Sequence, residues 1–226
     1  MKLYTHPAAT MCRPVQLYAA EAGITLETVF VDLFADAHRR PWFIAVNPTG
    51  AVPVLEDGAF RLTESSAILK HLAVRAGGFA YPDAPEARAR VHEQMDWFNT
   101  GFLRQYCYSF VYPQVMPDYG WPDPAMQTAM LARGEAEGRR YLDVLDRHHL
   151  GGEGPYLGGV VPTLADFFGA PIVTAGDLID FDLSPWPKVE RWIAAMKARP
   201  SWGPVNQAFE GWCELVRGAW RYRIAA

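Results

Sequence analysis

Cysteine is scarce: Cys12, Cys107 and Cys213 are the only three in 226 residues. They are odd in number, far apart and without a CxxC pair or a Cys/His cluster, so neither a disulfide framework nor a zinc site is indicated. Reduced thiols in a cytosol, with no metal and no redox cofactor, are the expectation. Long apolar runs are missing too. None reaches the roughly 18 residues that a bilayer span needs, and Met1-Lys2 leads into Tyr4, His6 and Thr10, not a continuous apolar region. A soluble, unprocessed protein without membrane attachment is the reading. Basic charge is in deficit, with a net charge of −4 and a pI near 5.9, which argues against nucleic acid as the main partner. Repeats and low-complexity tracts are absent.

What is present is ordinary globular material, 50% hydrophobic, with aromatic residues at 13%. Many rings on helices mean either thick core packing or an apolar pocket. Lys2 to Thr5 reads as a strand stopped by His6-Pro7, Arg13 to Ala22 as a helix closed by Gly23, and the alternating stretch Glu27 to Leu33 as a second strand. A helical turn around Trp42, Phe43 and Val46 precedes a hairpin of Val52–Leu55 and Ala59–Leu62 about Asp57-Gly58. A helix opening at Glu64 closes the unit. From 77 to 85 two glycines and two prolines mark a linker. Helical periodicity then runs from Glu86 to about Val111, from Pro124 to His148, from a capping box at Thr163-Leu164-Ala165-Asp166, from Pro187 to Ala198 and from Ser201 to Val216. The order β-α-β then β-β-α fits a thioredoxin-like α/β N-terminal domain over 1–76, and 86–226 forms an all-α C-terminal helical domain.

The most informative stretch is Asn47-Pro48-Thr49-Gly50-Ala51-Val52-Pro53-Val54-Leu55, followed by Glu64-Ser65-Ser66-Ala67-Ile68-Leu69. Val52 precedes a proline and is pushed to extended geometry, and Pro53 falls at a strand start, where a missing N–H costs least. The helix opening at Glu64 and Ser65 offers first-turn amides without intrahelical partners, a place for a carboxylate. An edge backbone beside an anion pocket suits a small extended peptide. The alternative for Glu64-Ser65 is a simple helix cap.

Those residues, with Leu3-Tyr4, Cys12-Arg13, Val31-Asp32-Leu33, Leu62-Thr63, Ala87-Arg88-Ala89-Arg90-Val91 and Leu164-Ala165-Asp166, resemble the cytosolic glutathione transferases. The likeness is to their theta-like branch with its phi-type and bacterial relatives. The resemblance implies the glutathione transferase fold and a homodimer that activates the thiol of glutathione, its co-substrate, for attack on an apolar small molecule. It implies Glu64 for the γ-glutamyl ammonium, Ser65 and its helix N-terminus for the neighbouring carboxylate, and the backbone of Val52 for the cysteinyl unit, with a cis bond before Pro53. His38, with Arg39 or Arg40, falls near the glycine carboxylate, with a solvated loop as the alternative for His38.

The chain departs from that pattern at the thiol. The theta-like catalytic serine falls on Ala9, which has no hydroxyl. Thr10, next to it, is the first candidate donor to the sulfur and otherwise an N-cap of the first helix. Cys12 is the second, either as a low-pKa thiol that would turn the chemistry toward thiol-disulfide exchange or as buried structural sulfur. A non-catalytic glutathione-binding module is the third reading. On the first long helix, Phe102, Tyr106 and Tyr108 are the candidate lining of the electrophile pocket, with core packing as their alternative, and Tyr106 or Tyr108 is a reserve donor to the sulfur. Trp202, Phe209, Trp212 and Trp220 cap that pocket or bury the last helix.

Overall fold

The computed structural model describes residues 1–218, and Trp220 lies outside them. A four-stranded sheet in the order β2-β1-β3-β4 opens the chain, from β1 (Lys2–Thr5), β2 (Glu27–Phe30), β3 (Val54–Asp57) and β4 (Phe60–Thr63). β1 runs parallel to β2 and antiparallel to β3, and β3 pairs antiparallel with β4 around Gly58, whose φ of 63° suits glycine. Helices α1 (Arg13–Glu21), α2 (Pro41–Ile44) and α3 (Ser65–Arg75) complete this unit. β2 ends earlier than its alternation suggests. The Asp32 carboxylate accepts the N–H groups of Phe34 and Ala35 at 3.0 and 3.1 Å, folding the chain into a local turn. β3 starts at Val54, not Val52, because Pro53 has no N–H to give a ladder.

After the linker the chain is helical. α4 (Pro85–Asp96) continues through a π-helical segment, Trp97–Val111, into α5 (Tyr112–Val115), where the sequence suggested one plain helix. The Tyr112 N–H reaches back five residues to the Cys107 carbonyl. α6 (Pro124–Val144) packs closely on this segment: a Cβ at Gly134 would lie 2.3 Å from the Ser109 carbonyl oxygen. α7 (Leu164–Val173), α8 (Pro187–Lys197) and α9 (Trp202–Val216) finish the described chain. The capping box at Thr163 and Asp166 is formed, and Asp166 does more. Fully buried, its carboxylate also accepts the Leu157 N–H and the Trp192 indole N–H, each at 2.8 Å, which pins the preceding loop and α8 to α7.

One apolar core crosses both units, from Leu3, Leu17 and Leu69 through Phe98, Phe167 and Phe168 to Trp192 and Phe209. Arg13, the first residue of α1, is wholly buried within the same seam. Its guanidinium donates to Thr174 Oγ1 at 3.2 Å, to Asn206 Oδ1 at 2.9 Å and to the Pro171 carbonyl, and lies 3.6 Å above the Phe209 ring. Nothing in its contact set is a carboxylate. Burial pulls this cation down to about 10, with Tyr112 and Asp177 among the groups that oppose the shift.

Candidate functional site

A cleft of about 710 Å³ opens between the sheet unit and the helices, at the end of β1. Its floor is His6, Ala8, Ala9, Thr10 and Met11, the bend between β1 and α1. One wall is Leu33, Phe34, His38, Arg39 and the 50–52 backbone, and the other comes from the helices, through Tyr108, Tyr112, Val115, Tyr119 and Trp212.

The bend is built by short backbone bonds. Ala9 N–H donates to the His6 carbonyl at 3.1 Å, and Cys12 and Arg13 N–H both donate to the Ala9 carbonyl at 2.9 and 3.1 Å. Among the described residues no acceptor faces the N–H groups of Thr10 and Met11, which border the cleft at the start of α1. The N-cap position is Cys12, so Thr10 is not the cap of that helix. The Thr10 side chain and Tyr112 both border the cleft. Ala9, beside Thr10, offers the cleft only a methyl group.

Asn47, 3% exposed, sets the second wall. Its side-chain amide donates to the Ala51 carbonyl at 2.7 Å, while its carbonyl oxygen takes the Thr49 N–H and hydroxyl at 3.2 and 2.9 Å. The staple delivers Val52 in front of a cis Val52-Pro53 bond, as the resemblance implied. Among the described residues neither the N–H nor the C=O of Val52 has a partner. Gly50, at φ 65°, is obligatory here, since a Cβ would also meet the His38 carbonyl oxygen at 3.2 Å. His38 sits on this wall with a buried Nδ1 that has no partner among the described residues, and Arg39 is exposed beside it, 3.7 Å from Asp36.

The start of α3 is joined to the bend directly. Ser65 Oγ donates to the Met11 carbonyl at 2.6 Å, so the N-termini of α1 and α3 are held together. That hydroxyl proton is spent inside the protein, and what Ser65 offers a ligand is its backbone N–H and its place in the first turn of α3. Glu64 occupies the N-cap with φ 66° and ψ 115°, an uncommon region for a residue with a side chain, and makes no capping bond. The simple-cap alternative therefore does not describe Glu64. Glu64 and Ser65 stand outside the walls of the 710 Å³ cleft. The Glu64 charge is still felt there, because burial first, then Tyr119, Cys107 and Glu64, raise the Tyr108 phenol to about 12.

Three expectations are corrected. Cys12 is fully buried and away from the cleft, and burial pushes its thiol up to about 11 despite opposing hydrogen bonds with His6 and Thr5. It is structural sulfur, not a nucleophile. Phe102 and Tyr106 are fully buried against Tyr141 and Phe181, at 6.3 and 5.5 Å between ring centroids, and line the core and not the pocket. Among the described residues the Tyr106 hydroxyl has no hydrogen-bond partner, and it faces Gly176, away from the cleft lining. Tyr108 does line the cleft, with 45% of its surface exposed. Of the last helix, Trp212 reaches the cleft and stacks edge-on with Phe34 at 5.7 Å, while Trp202 and Phe209 are buried.

Sequence reasoning missed His6, Asn47 as a staple, and Tyr112. His6 Nδ1 accepts the Ala8 N–H at 3.2 Å, which leaves the proton of the neutral ring on Nε2. Burial holds this imidazole below its usual range, against the pull of Asp32. Tyr112 was one ring in a run of many. Only the widened helix that carries it explains why it, and not Tyr106, lines the cleft.

An unpaired backbone edge, two helix N-termini and a hydroxyl-bearing bend have close counterparts in known proteins. Residues 1–74 match the family model described as glutathione S-transferase, N-terminal domain. The first 74 residues are thus a glutathione S-transferase N-terminal domain, and the likeness to glutathione transferases runs on through the helices. Glutathione S-transferase D6 of Drosophila melanogaster is 27% identical over 205 residues, 89% of this chain and 90% of that protein. The structure of human glutathione transferase theta-2 in complex with glutathione superposes with a TM-score of 0.84 at 27% identity, covering 96% of this chain and 90% of that one. A delta-class glutathione transferase of Nilaparvata lugens gives a TM-score of 0.79 at 27% identity, over 96% and 98% of the two chains. The likeness covers both the sheet and the helical units as found, a thioredoxin-like domain followed by a helical one.

Proposed function

We propose that this protein is a glutathione transferase that binds reduced glutathione across the cleft and directs the ionised sulfur at an apolar electrophile. The observation that carries the reading is the set of unspent backbone groups facing one space: both polar groups of Val52, and the N–H groups of Thr10 and Met11. The cysteinyl unit pairs with Val52 as an added strand. The γ-glutamyl end lies toward Glu64 for its ammonium and the first amides of α3, Ser65 included, for its carboxylate. The glycine carboxylate takes the unsatisfied side of His38 with Arg39 nearby.

A free thiol near pKa 8.5 is only a few per cent ionised at neutral pH, and lowering it by two units requires about 2.7 kcal/mol of preferential stabilisation of the anion. The Thr10 hydroxyl, the Thr10 and Met11 amides and the positive end of α1 are donors of the right kind, and they act where bulk water is partly excluded. No metal or redox group enters. Phe34, Tyr108, Tyr112, Tyr119 and Trp212 form the apolar side against which the electrophile is held close to the sulfur. The burial of Cys12 speaks against the thiol-disulfide alternative, and the donor set around Thr10 against a mere binding module.

The working form is a homodimer, with the exposed Phe60 and Val74 of β4 and α3 covered by a second copy, in a reducing cytosol that suits three free cysteines. Among the described residues no helix is long and apolar enough to cross a membrane. Calorimetry with reduced glutathione, followed by ultraviolet absorbance of the bound thiolate between pH 5 and 9, tests the reading. Heat of binding and a thiolate signal that persists below pH 7.5 are expected, and binding without ionisation would reduce the protein to a glutathione-binding module.

A further inference from the structure

His6 has no part in the proposed binding of glutathione, yet it stands on the floor of the same cleft. Three contacts fix its ring. Nδ1 accepts the Ala8 N–H at 3.2 Å, and the ring packs at 5.4 Å against Phe30 and edge-on at 5.2 Å against Phe34. With Nδ1 spent as an acceptor, the neutral ring carries its proton on Nε2. Burial, which outweighs the pull of Asp32, favours that neutral form. Among the described residues nothing accepts the Nε2 proton, and Nε2 is not one of the unpartnered atoms sealed inside the protein. The open space that this ring borders is the cleft. We propose that His6 Nε2–H is the specificity-determining donor for the electrophile: it binds an oxygen conjugated to the carbon that the sulfur attacks, so the preferred substrates are α,β-unsaturated carbonyl compounds. The inference deepens the proposed function and rests on it.

Two neighbours give this ring its place. Phe34 meets His6 on one side and Trp212 edge-on at 5.7 Å on the other. The His6 carbonyl takes the Ala9 N–H at 3.1 Å, one residue before Thr10. The imidazole is thereby tied both to the bend that receives the sulfur and to the apolar wall that holds the electrophile. Other polar side chains of the cleft suit the role less. Thr10 and His38 are taken by glutathione, Asp36 and Asp118 have no proton to donate, and Tyr108 and Tyr119 are 45% and 41% exposed, where water competes for their phenols. His6 is 6% exposed. A donor that a filled cleft seals from water costs most when it is left unpaired, so it rejects a substrate that brings no acceptor. Tyr112, also 6% exposed, is the rival donor, and the experiment includes its variant.

The chemistry explains the choice of acceptor. As the sulfur's electron pair forms the C–S bond at the β-carbon, the C=C π bond breaks and its electrons pass through the carbonyl to oxygen. That oxygen gains the negative charge, and a hydrogen bond to it strengthens on the way to the transition state. The enolate then takes a proton from water at the α-carbon. The thiol proton has already left to solvent at ionisation, so no further reactant is consumed.

The test is the ratio of kcat/KM for benzylideneacetone to kcat/KM for benzyl chloride, at saturating glutathione, in the wild type, His6→Asn, His6→Gln and Tyr112→Phe. Both substrates carry a phenyl ring, but benzyl chloride sends its charge to a large halide, a weak acceptor. His6→Asn keeps an oxygen that accepts the Ala8 N–H two residues on and removes the donor to the cleft. His6→Gln keeps an N–H near the place of Nε2. His6→Asn is expected to lower the ratio about tenfold, the size of one hydrogen bond to a group gaining charge, with the binding heat of glutathione retained. His6→Gln is expected to recover most of that ratio, and Tyr112→Phe to leave it within about twofold of the wild type. An unchanged ratio in His6→Asn would overturn the inference, as would an equal fall for both substrates or a loss of the ratio in Tyr112→Phe alone. A wild type that turns over benzyl chloride and not benzylideneacetone would overturn it while leaving the proposed function standing. A wild type that shows no binding heat with glutathione would overturn both.

Discussion

Cys12 and Glu64 carry opposite lessons about single residues. A thiol at about 11 is ionised in roughly one molecule in ten thousand at pH 7, so the sulfur of Cys12 has no chemistry to lose. Cys12→Ala is expected to keep glutathione ionisation and conjugation rates within about twofold while lowering thermal stability by about 1 kcal/mol, measured by denaturant titration beside activity. Equal loss of activity would restore the covalent alternative. Glu64 is held at φ 66° with an exposed carboxylate, a conformation that costs of order 1–3 kcal/mol and brings no capping bond in return. Glu64→Gly relaxes that backbone, so folding stability is expected to hold or rise while glutathione affinity falls several-fold. A drop in stability with affinity intact would make the residue merely structural.

Among elements, the π-helical segment and α6 form the tightest pair, and glycines on α6 decide it. A methyl group at Gly134 would collide with the Ser109 backbone, so Gly134→Ala is expected to destabilise by about 2–3 kcal/mol in urea unfolding. Gly211, on the exposed side of α9, meets nothing within 4 Å. Gly211→Ala should therefore stabilise by about 0.5–1 kcal/mol, and the opposite signs of the two results check the packing. At this scale the sequence is legible where the signal is local. The strands around Val29 and Leu55, the Asp57-Gly58 hairpin and the box at Thr163 all appear as periodicity or turn chemistry, and α3 opens at Glu64-Ser65 as read, while Val52-Pro53 precedes its strand and does not begin it. What stayed hidden depends on tertiary distance. Phe102, Tyr106 and Tyr112 share one helix and one kind of ring, and a 3.6-residue period cannot say which faces the cleft once the turns widen to five residues. Cys12 likewise looks reactive at a helix start until burial is known.

The two units of the molecule are also joined by charge. Glu21, at the end of α1, accepts bonds from Arg199 and from the Ser201 hydroxyl between α8 and α9. Burial works against its ionised form, but the Ser201 and Arg199 bonds and the Arg199 charge outweigh it, leaving the carboxyl below its ordinary range. A depressed carboxyl stabilises the fold above its unfolded pKa and loses that contribution as the pH falls through the folded one. Stability is thus expected to fall as the pH drops below about 4.5. Glu21→Gln should lower the melting temperature at pH 7 and flatten that acid slope. An unaltered slope would remove Glu21 as a cause. Because the apolar core is continuous across both units, a single calorimetric transition is expected, and two separated peaks would contradict it.

Arg13 limits how such a molecule can be rebuilt. Its cation belongs to the first unit by sequence, while the oxygens and ring that hold it, on Pro171, Thr174, Asn206 and Phe209, belong to the second. A chimera that joined residues 1–76 to the helices of a relative would bury a guanidinium against strangers, unless those four partners were grafted along with it.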